Sequence, residues 1–302
     1  MKHMILKLNN KIKKILNPFN SQNIAELRRQ FTYVNKAEQL QYLALNNASP
    51  GISNEKYCDN EIIVSLTTYG TRLFDVYLTI ESIMQQSCKP NKIVLWLSDE
   101  LSDIILPKTL QNQQERGLEI NFCKDIRSYT KLIPTIKKYP DSIIITIDDD
   151  ALYHFDLVEN LIIEHKKYPK LIIGCRIHRM KLKSKNKLKK YNSWISRYSG
   201  YDVSPLNFPT GVGGVLYPPN CFNEEVFNEE VFLDICKYAD DVWFKAMALY
   251  NGTMSKRIFV NTENSIEDNQ YNPLKSLNVD KNMNDIQIKA VFDKYNLYNK
   301  LV

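Results

Sequence analysis

Ile143-Ile-Ile-Thr-Ile-Asp-Asp-Asp150 combines a run of apolar, mostly β-branched residues with three consecutive carboxylates. Such a run, preceded by a turn at Asp141-Ser142, is typical of a strand that is buried on both faces of a parallel sheet. The three carboxylates then follow the carboxyl end of the strand, where open α/β sheets bind their ligands. The segment therefore predicts an α/β fold with an acidic site at one edge of the sheet.

Similar apolar runs recur along the chain at intervals that leave room for a helix between them. The predicted strands are Glu61–Thr67, Lys92–Leu97, Leu118–Phe122, Ile143–Ile147 and Leu171–Cys175, and the predicted helices are Phe74–Gln86, Leu132–Tyr139 and Phe155–Lys167. This alternation predicts right-handed βαβ units and a mostly parallel, Rossmann-type sheet flanked by helices. The loops after Leu66 and Ile147 then meet at the ligand-binding edge.

The flanking sequence divides the chain into three regions. The predicted regions are a helical N-terminal extension at 1–58, the α/β domain at 59–262 and a helical tail at 263–302.

Later predicted elements are an exposed loop or edge hairpin at Lys181–Lys190, a helix ending at Cys236, a helix from Asp240 to Asn251-Gly252, a strand at Ile258–Val260 and a helix at Asn284–Tyr295.

Composition excludes several classes of protein. The net charge of +6, from 40 basic and 34 acidic residues, is too mild for a dedicated nucleic-acid binder and favours an anionic ligand or membrane surface. The six cysteines form no CxxC pair, so we expect reduced, cytosolic thiols. The four histidines form neither HxH nor HExxH, which excludes a histidine-rich zinc site.

The first 19 residues have an amphipathic pattern without a membrane-spanning run. Lysines alternate with apolar residues at three- and four-residue spacing; the apolar ones are Met4, Ile5, Leu8, Ile12, Ile15 and Leu16. Two interpretations remain open: a basic helix lying on an anionic bilayer, or a solvated helix packed on the domain. No secretory signal is recognised, so the expected location is the cytoplasm, with possible peripheral attachment to the inner membrane face.

Two acidic motifs are candidates for chemistry. Three adjacent carboxylates at Asp148-Asp149-Asp150 repel one another unless a cation lies among them, and Mg²⁺ or Mn²⁺ prefers oxygen ligands. The alternative is an acidic turn that caps the next helix. Asp240-Asp241 begins a predicted helix, where an acidic pair is either an N-cap or a general base for a substrate hydroxyl.

Glycine and basic residues supply the other candidates. Gly211-Val-Gly-Gly214 lets a backbone approach a ligand closely, or is a plain loop. Loop residues with hydroxyl or basic side chains near strand ends are Thr67, Arg72, Lys124, Arg127 and Lys131. They suit a diphosphate or a base, although each one alone is typical of a solvated surface. The lysines of Lys181–Lys190 indicate a solvated edge or an anionic partner.

In their order, these motifs resemble GT-A glycosyltransferases, especially bacterial enzymes related to glycosyltransferase family 2. The matching segments are Val64-Ser-Leu-Thr-Thr68, Tyr129-Thr-Lys-Leu-Ile-Pro134, Ile147-Asp-Asp-Asp150 and Gly211 to Pro219 followed by Asp240-Asp-Val-Trp243. The resemblance covers about residues 60–252 and identifies Asp148 to Asp150 with the DxD motif. It implies a nucleotide-sugar half at about 59–150 and an acceptor half at about 151–262.

The resemblance also implies residue roles. Nucleotide-sugar contacts would come from Thr67, Thr68, Tyr69, Arg72, Lys131, Asp148 and Asp149, and acceptor or donor-sugar contacts from Gly213, Gly214 and Trp243. Asp150, with Asp148, would bind Mn²⁺ or Mg²⁺ at the diphosphate. Asp241, or its neighbour Asp240, would act as the general base of an inverting reaction. Many GT-A enzymes add a late histidine ligand, whereas no histidine follows His178 here, so water or a late residue such as Asp268 would take that place.

The implied activity is a metal-dependent transfer of a hexosyl-type sugar from a nucleotide-sugar, with UDP favoured, to an oligosaccharide or lipid-linked glycan in surface polysaccharide synthesis. One alternative is a sugar-1-phosphate nucleotidyltransferase, because Tyr69-Gly-Thr-Arg-Leu73 echoes that class while its longer glycine-rich stretch is missing. An aspartyl phosphatase normally has its acidic motif near the N-terminus. A non-catalytic sugar-binding protein on a degenerate transferase fold is the third alternative.

Overall fold

The apolar run before the three carboxylates forms β4 (Ile143–Thr146), the middle strand of a seven-stranded sheet. The computed structural model describes residues 21–184, 187–258, 265–267 and 283–301. β4 pairs in parallel with β1 (Ile62–Thr67) on one side and antiparallel with β11 (Val215–Tyr217) on the other. All four β4 residues are buried, as expected for a strand covered on both faces.

Four more strands complete the sheet. They are β2 (Lys92–Ser98), β3 (Leu118–Cys123), β6 (Ile172–Gly174) and β12 (Ser255–Arg257). The order across the sheet is β12-β6-β11-β4-β1-β2-β3. β11 is antiparallel to both of its neighbours, whereas the other pairings are parallel.

Helices cover both faces of this sheet. They are α1 (Ser21–Asn46), α2 (Val76–Met84), α3 (Lys108–Glu115), α4 (Ile133–Lys138), α5 (Leu157–Lys167), α6 (Glu229–Ile235), α7 (Asp240–Asn251) and α8 (Met283–Lys294). Ile143 and Ile145 belong to an apolar cluster with α2 and α5, while Ile144 belongs to a second cluster with α7 and α8. Because side chains alternate along a strand, β4 contributes to both clusters. The predicted α/β fold, a mostly parallel sheet flanked by helices with a helical N-terminal extension, is confirmed.

Three short ribbons lie outside the sheet. They pair β5 (Ala151–Tyr153) with β13 (Ser265–Glu267), β7 (Ile177–Arg179) with β10 (Asn207–Pro209), and β8 (Leu182–Ser184) with β9 (Lys187–Leu188). The sequence indicated only the last of them, the lysine-rich hairpin. The other strands are three residues long, too short for a periodicity to be recognised.

Several predicted boundaries need correction. α1 ends at Asn46, and residues 47–58 are irregular rather than helical, because Pro50 cannot continue a helix. The helix predicted from Phe74 is preceded by a 3₁₀ turn at Gly70–Phe74. Of the strand predicted at Ile258–Val260, Ile258 is irregular and residues 259–260 lie outside the described residues. The edge strand β12 comes just before it and is polar, so an apolar pattern does not reveal it.

The predicted N-terminal amphipathic segment, Met1 to Phe19, lies outside the described residues. Within the described ranges, no helix is both long and apolar enough to cross a membrane. All six cysteines are free thiols, as their sequence setting predicted. α7 ends where it was expected, because its C-cap Gly252 adopts the left-handed conformation at φ 81°.

A buried ion pair joins α2 to Arg116, the residue that follows α3. Glu81 of α2 is 0% exposed and receives two hydrogen bonds from the Arg116 guanidinium, at 2.7 and 2.9 Å. The side-chain amides of Gln85 and Gln113 donate to the same carboxylate at 2.7 and 3.1 Å. The carboxylate is therefore fully hydrogen-bonded, which is the condition under which a buried charge is tolerated.

We predict that Arg116→Met lowers the free energy of unfolding by about 3–5 kcal/mol, because Glu81 is then a buried charge without a counterion. The double variant Glu81→Met/Arg116→Met should recover most of that loss. Urea unfolding followed by circular dichroism measures both. Lys92→Met, which breaks the exposed pair with Glu61, is the control and should lose about 1 kcal/mol or less. An equal loss in the single and double variants would contradict this account.

Candidate active site

The loops after β1 and β4 meet at the carboxyl edge of the sheet, as the parallel pairing of these strands requires. Thr68 Oγ1 donates a hydrogen bond of 2.7 Å to Asp149 Oδ2. Arg72 Nη1, from the 3₁₀ turn after β1, donates one of 2.7 Å to Asp149 Oδ1. The loop after β1, which the resemblance assigned to the nucleotide-sugar, is thus in direct contact with the acidic motif.

The three carboxylates of the acidic motif have different environments. Asp149 is held by Thr68 and Arg72, and its side chain is only 9% exposed. Asp148 and Asp150 are more open, at 23% and 21%. Arg72 lies 3.3 Å from Asp150 Oδ2 as well. Burial tends to lower the pKa of Arg72, but Asp149 and Asp150 outweigh it and raise that pKa.

Two buried hydroxyl groups form hydrogen bonds with the backbone of the acidic motif. The Asp148 N–H donates to Tyr153 Oη at 2.9 Å, and Thr79 Oγ1 donates to the carbonyls of Asp149 and Ala151 at 3.0 and 2.9 Å. Tyr153 is 1% exposed. Sequence analysis missed both residues, although the position of Tyr153 in an apolar run just after the motif is a usable signal. They fix the direction in which the carboxylates point.

Lys131 connects the acidic motif to the start of α7. Its Nζ lies 3.0 Å from Asp148 Oδ1 and 3.1 Å from Asp240 Oδ2. Burial alone would lower the pKa of Lys131, but the charges of Asp148 and Asp240 outweigh it and hold the pKa well above its usual value. Lys131 is therefore a permanent cation between the two predicted acidic motifs.

Gly211 is the point of closest backbone approach to these charges. Its N–H donates a hydrogen bond of 3.0 Å to Asp241 Oδ1. A Cβ at this position would lie 2.9 Å from Lys131 Nζ and 3.3 Å from Asp148 Oδ1. The sequence pointed to Gly213 and Gly214, but their added Cβ atoms would instead meet Cys175 at 3.5 Å and Leu157 at 3.4 Å. Gly211 therefore lies closest to the charged centre.

Asp241 has the protonation behaviour of a base that works near neutral pH. Burial, followed by the charge of Asp240, raises the pKa of Asp241 to about 7, although Lys131 and the Gly211 N–H act in the opposite direction. A carboxylate with a pKa near the working pH transfers protons efficiently in both directions. Asp240 differs from Asp241, since it is 8% exposed and its Oδ2 lies 3.1 Å from Lys131 Nζ.

Two other predicted residues, Thr67 and Trp243, have hydrogen-bond partners outside this charged centre, and a third, Tyr69, is exposed. Thr67 Oγ1 donates to the Trp96 carbonyl at 2.9 Å, whereas Tyr69 is 82% exposed. Trp243 is 0% exposed, and its indole N–H donates to the Val226 carbonyl at 3.0 Å. Trp243 therefore packs in the core, and its predicted contact with a sugar does not agree with its position.

The two weaker basic candidates also have partners elsewhere. Lys124 forms an ion pair with Glu229 of α6. The Arg127 guanidinium lies over the ring of Tyr238, 5.3 Å from its centroid. Of the five loop residues proposed from sequence, Arg72 and Lys131 are the two that contact the carboxylates of the site.

The oxygen-rich edge suits a divalent cation that a substrate completes. Mg²⁺ is commonly held by one or two carboxylates together with substrate phosphates. Asp148 and Asp150 are the partly exposed carboxylates, whereas Asp149 is tied down. Among the described residues, no group of three or more His, Cys, Asp or Glu side chains could hold a metal ion. The candidate ligand Asp268 lies outside those residues.

No protein-family model and no curated protein matches the chain. Among solved structures, it is similar to a mannosyltransferase from Pyrobaculum calidifontis in complex with GDP-Man and Mn²⁺, with 12% identity and a TM-score of 0.47 over 91% of this chain and 73% of that one.

Two further solved structures are similar. A CMP:2-keto-3-deoxy-manno-octonic acid synthetase with CTP has 11% identity and a TM-score of 0.40, over 67% of this chain and 90% of that one. Residues 1–349 of TarS from S. aureus have 10% identity and a TM-score of 0.42, over 68% and 59%. With TM-scores below 0.5, these similarities do not by themselves define the activity.

We predict that Gly211→Ala displaces the Lys131 ammonium, because the new methyl group would lie within 2.9 Å of it and the lysine is held between two carboxylates. The free energies of unfolding of Gly211→Ala, Lys131→Ala and the double variant form a cycle. We expect a coupling of about 1 kcal/mol or more, since contacting residues are not additive. Additivity within about 0.5 kcal/mol would show that the two positions are independent.

We also predict that Asp241→Asn stabilises the fold in a pH-dependent way. Because the folded pKa of Asp241 is raised from about 3.9 to about 7, its contribution to stability is complete below about pH 4 and is lost as the pH rises through 7. The advantage of the variant should therefore grow from about pH 4 to 7 and then level off at a few kcal/mol, because each of the roughly three pKa units corresponds to about 1.4 kcal/mol.

Thermal unfolding across this pH range measures the effect. Asp103→Asn, at an exposed loop position, is the control and should show no such trend. An advantage of Asp241→Asn that shrinks as the pH rises would contradict the raised pKa.

Proposed function

We propose that this chain is a GT-A-type, metal-dependent glycosyltransferase that moves a hexosyl-type sugar from a nucleotide-sugar to a hydroxyl group of a glycan or lipid-linked acceptor. The observation that carries the proposal is the position of Lys131, whose ammonium contacts both Asp148 of the acidic motif and Asp240 beside Asp241. A donor-binding group and a candidate base are thereby held within one charged centre. Group transfer needs both reactants in such a fixed arrangement.

On the donor side, the exposed carboxylates and the basic residues have complementary tasks. Asp148 and Asp150 would hold Mn²⁺ or Mg²⁺, which when bound supplies positive charge to the leaving diphosphate. Arg72 and Lys131 are cations at the same edge and are suited to phosphate oxygens. Asp149 orients Arg72 rather than facing the substrate. UDP is the favoured nucleotide by the resemblance of the chain to GT-A enzymes.

On the acceptor side, Asp241 is placed to accept the proton of the attacking hydroxyl group. Its Oδ1 accepts the Gly211 N–H, which fixes the direction of the carboxylate. With a pKa near 7, it is largely ionised in slightly alkaline solution and becomes neutral when it takes the proton. A single displacement at the anomeric carbon with this base inverts the configuration of the sugar.

The setting that we propose is surface polysaccharide synthesis at the inner face of the cytoplasmic membrane. Its support is the basic, amphipathic sequence of the first 19 residues, which is typical of segments that bind anionic lipid surfaces. The chain would reach lipid-linked acceptors from the cytoplasm without crossing the bilayer.

A sugar-1-phosphate nucleotidyltransferase is the second candidate. The observation in its favour is the position of Gly70-Thr-Arg72 beside the acidic motif, where the Arg72 guanidinium contacts Asp149 and Asp150. That enzyme would consume a nucleoside triphosphate and a sugar-1-phosphate and release pyrophosphate, whereas a glycosyltransferase releases a nucleoside diphosphate or monophosphate.

A donor-hydrolysis screen tests the proposal. Purified protein is incubated with Mn²⁺ and a panel of UDP-, GDP- and CMP-sugars, and nucleotide release is measured. We expect slow release from one donor, because glycosyltransferases transfer to water in the absence of an acceptor. EDTA and Asp150→Ala should abolish it. Asp241→Asn should lower it by about 10²–10⁴-fold, the usual contribution of a general base.

The matched control is Asp103→Ala, which removes an exposed carboxylate elsewhere and should leave the release unchanged. Pyrophosphate release from a nucleoside triphosphate and a sugar-1-phosphate would favour the second candidate. The absence of both reactions, together with no binding of any nucleotide, would favour a degenerate, non-catalytic transferase fold.

A further inference from the structure

Residues 176–197 form a strongly basic segment. This basic segment holds nine basic residues and no Asp or Glu; they are Arg176, Arg179, Lys181, Lys183, Lys185, Lys187, Lys189, Lys190 and Arg197. Without these nine, the chain's 40 basic residues fall to 31, against 34 acidic residues. The remainder of the chain is therefore slightly acidic, and the whole positive excess belongs to the basic segment.

The basic segment begins beside the candidate base. Arg176 Nε donates a hydrogen bond of 2.8 Å to Thr210 Oγ1, and the next residue, Gly211, donates its N–H to Asp241. Arg176 and Asp241 are therefore both bound to the short segment Thr210-Gly211. The ring of Tyr191, near the other end of the basic segment, lies 5.7 Å from that of His178, two residues after Arg176.

A second arginine is presented next to this region. Arg197 is exposed and has a left-handed backbone with φ 48°, an uncommon conformation for a residue other than glycine. Its N–H donates to His178 Nδ1 at 3.1 Å. Burial, Arg176 and Arg197 together lower the pKa of His178 to about 4, so the imidazole stays neutral between two cations.

The hairpin of β8 and β9 extends the cationic surface outward. Leu182 and Leu188 face each other across the two strands and pack against the second apolar cluster of the core. Lys183 and Lys187 are exposed on the same hairpin. Because the leucines point inward, the hairpin presents charge without an apolar side chain that could enter a bilayer.

This arrangement favours an anionic glycan over other anionic partners. Single-stranded nucleic acids are bound by exposed aromatic rings that stack on bases. Within the basic segment, Trp194 is 6% exposed and Tyr191 packs against Trp194 and Phe208. Protection of a sheet edge would explain only the alternating lysines of the hairpin. It does not explain Arg176, whose guanidinium donates to Thr210 directly before the Gly211 N–H that binds Asp241.

We propose that the acceptor is an anionic glycan, with carboxylate or phosphodiester groups repeated along it. It would extend from Asp241 past Arg176 and Arg197 to the lysines of the hairpin. The inference rests on the proposed glycosyl transfer, because it uses Asp241 to mark the acceptor site. It adds the chemical class of the acceptor, which determines the subsites beyond the reacting hydroxyl group.

Binding of defined probes to the full chain tests this inference. The probes are oligogalacturonate, its neutral methyl ester as the matched uncharged glycan, poly(glycerol phosphate) and phosphatidylglycerol vesicles. We expect one of the two anionic polymers to bind, with an affinity that falls as salt is added, and we expect no binding of the methyl ester. The two polymers distinguish carboxylate from phosphodiester recognition.

Lysine and arginine variants test whether the anionic polymer binds to the hairpin. Lys183→Ser/Lys187→Ser should weaken the binding by about fivefold per lysine, the scale expected of one cation beside an anionic surface. Lys166→Ser/Lys170→Ser removes the same charge from the exposed end of α5 and its following loop and should change nothing. Arg197→Asn, which keeps a residue that tolerates the left-handed backbone, should also weaken the binding.

Three outcomes would overturn the inference: equal binding of the methyl ester, equal loss in both lysine variants, or lysine-dependent binding to vesicles without binding to either polymer. Donor hydrolysis by the unmodified protein separates the two proposals. Hydrolysis without polymer binding would refute the anionic acceptor alone, whereas absence of hydrolysis and of nucleotide binding would remove the proposed transfer as well.

Discussion

The ion-pair network around the Lys131 ammonium is the interaction on which the rest of the site depends. Lys131 lies between Asp148, at the end of the central strand, and Asp240, at the start of α7. Without a cation there, the carboxylates of two different motifs would be brought together in a buried place, which electrostatics strongly disfavours. The lysine therefore makes the convergence of the two acidic motifs possible.

The surrounding structure accommodates this charged centre in specific ways. Gly211 lacks a side chain where the backbone passes the ammonium, and its N–H satisfies Asp241. Tyr153 and Thr79 hold the backbone that carries the carboxylates. Burial and Asp240 raise the pKa of Asp241, so Lys131 and the Gly211 N–H do not fully compensate its negative charge. Such residual destabilisation is common at sites that carry chemistry, because a fully neutralised carboxylate would be a poor base.

Much of the fold and part of the site could be predicted from sequence. The buried strands were recognisable because β1 and β4 are continuous apolar runs, and parallel pairing then placed their loops at one edge. Polar β12 and the three-residue ribbons carry no such pattern. The structure brings Thr68, Arg72 and Lys131, which were predicted to contact the nucleotide-sugar, against the carboxylates of the acidic motif. Trp243 lies in the core instead, because α7 is buried on every side from Val242 to Leu249. The position of Gly211 beside Lys131 depends on contacts between distant segments, which the sequence alone does not show.

Calorimetric titration of nucleoside diphosphates into the protein, with and without Mn²⁺, tests the central claim most directly. In the proposed function, Asp148 and Asp150 would supply only part of a metal site, which the diphosphate would complete. We therefore expect UDP, or another single nucleoside diphosphate, to bind in the presence of Mn²⁺ with an affinity that falls sharply when the metal is withheld. Equal affinity with and without the metal, or no binding of UDP, GDP or CDP under either condition, would contradict it.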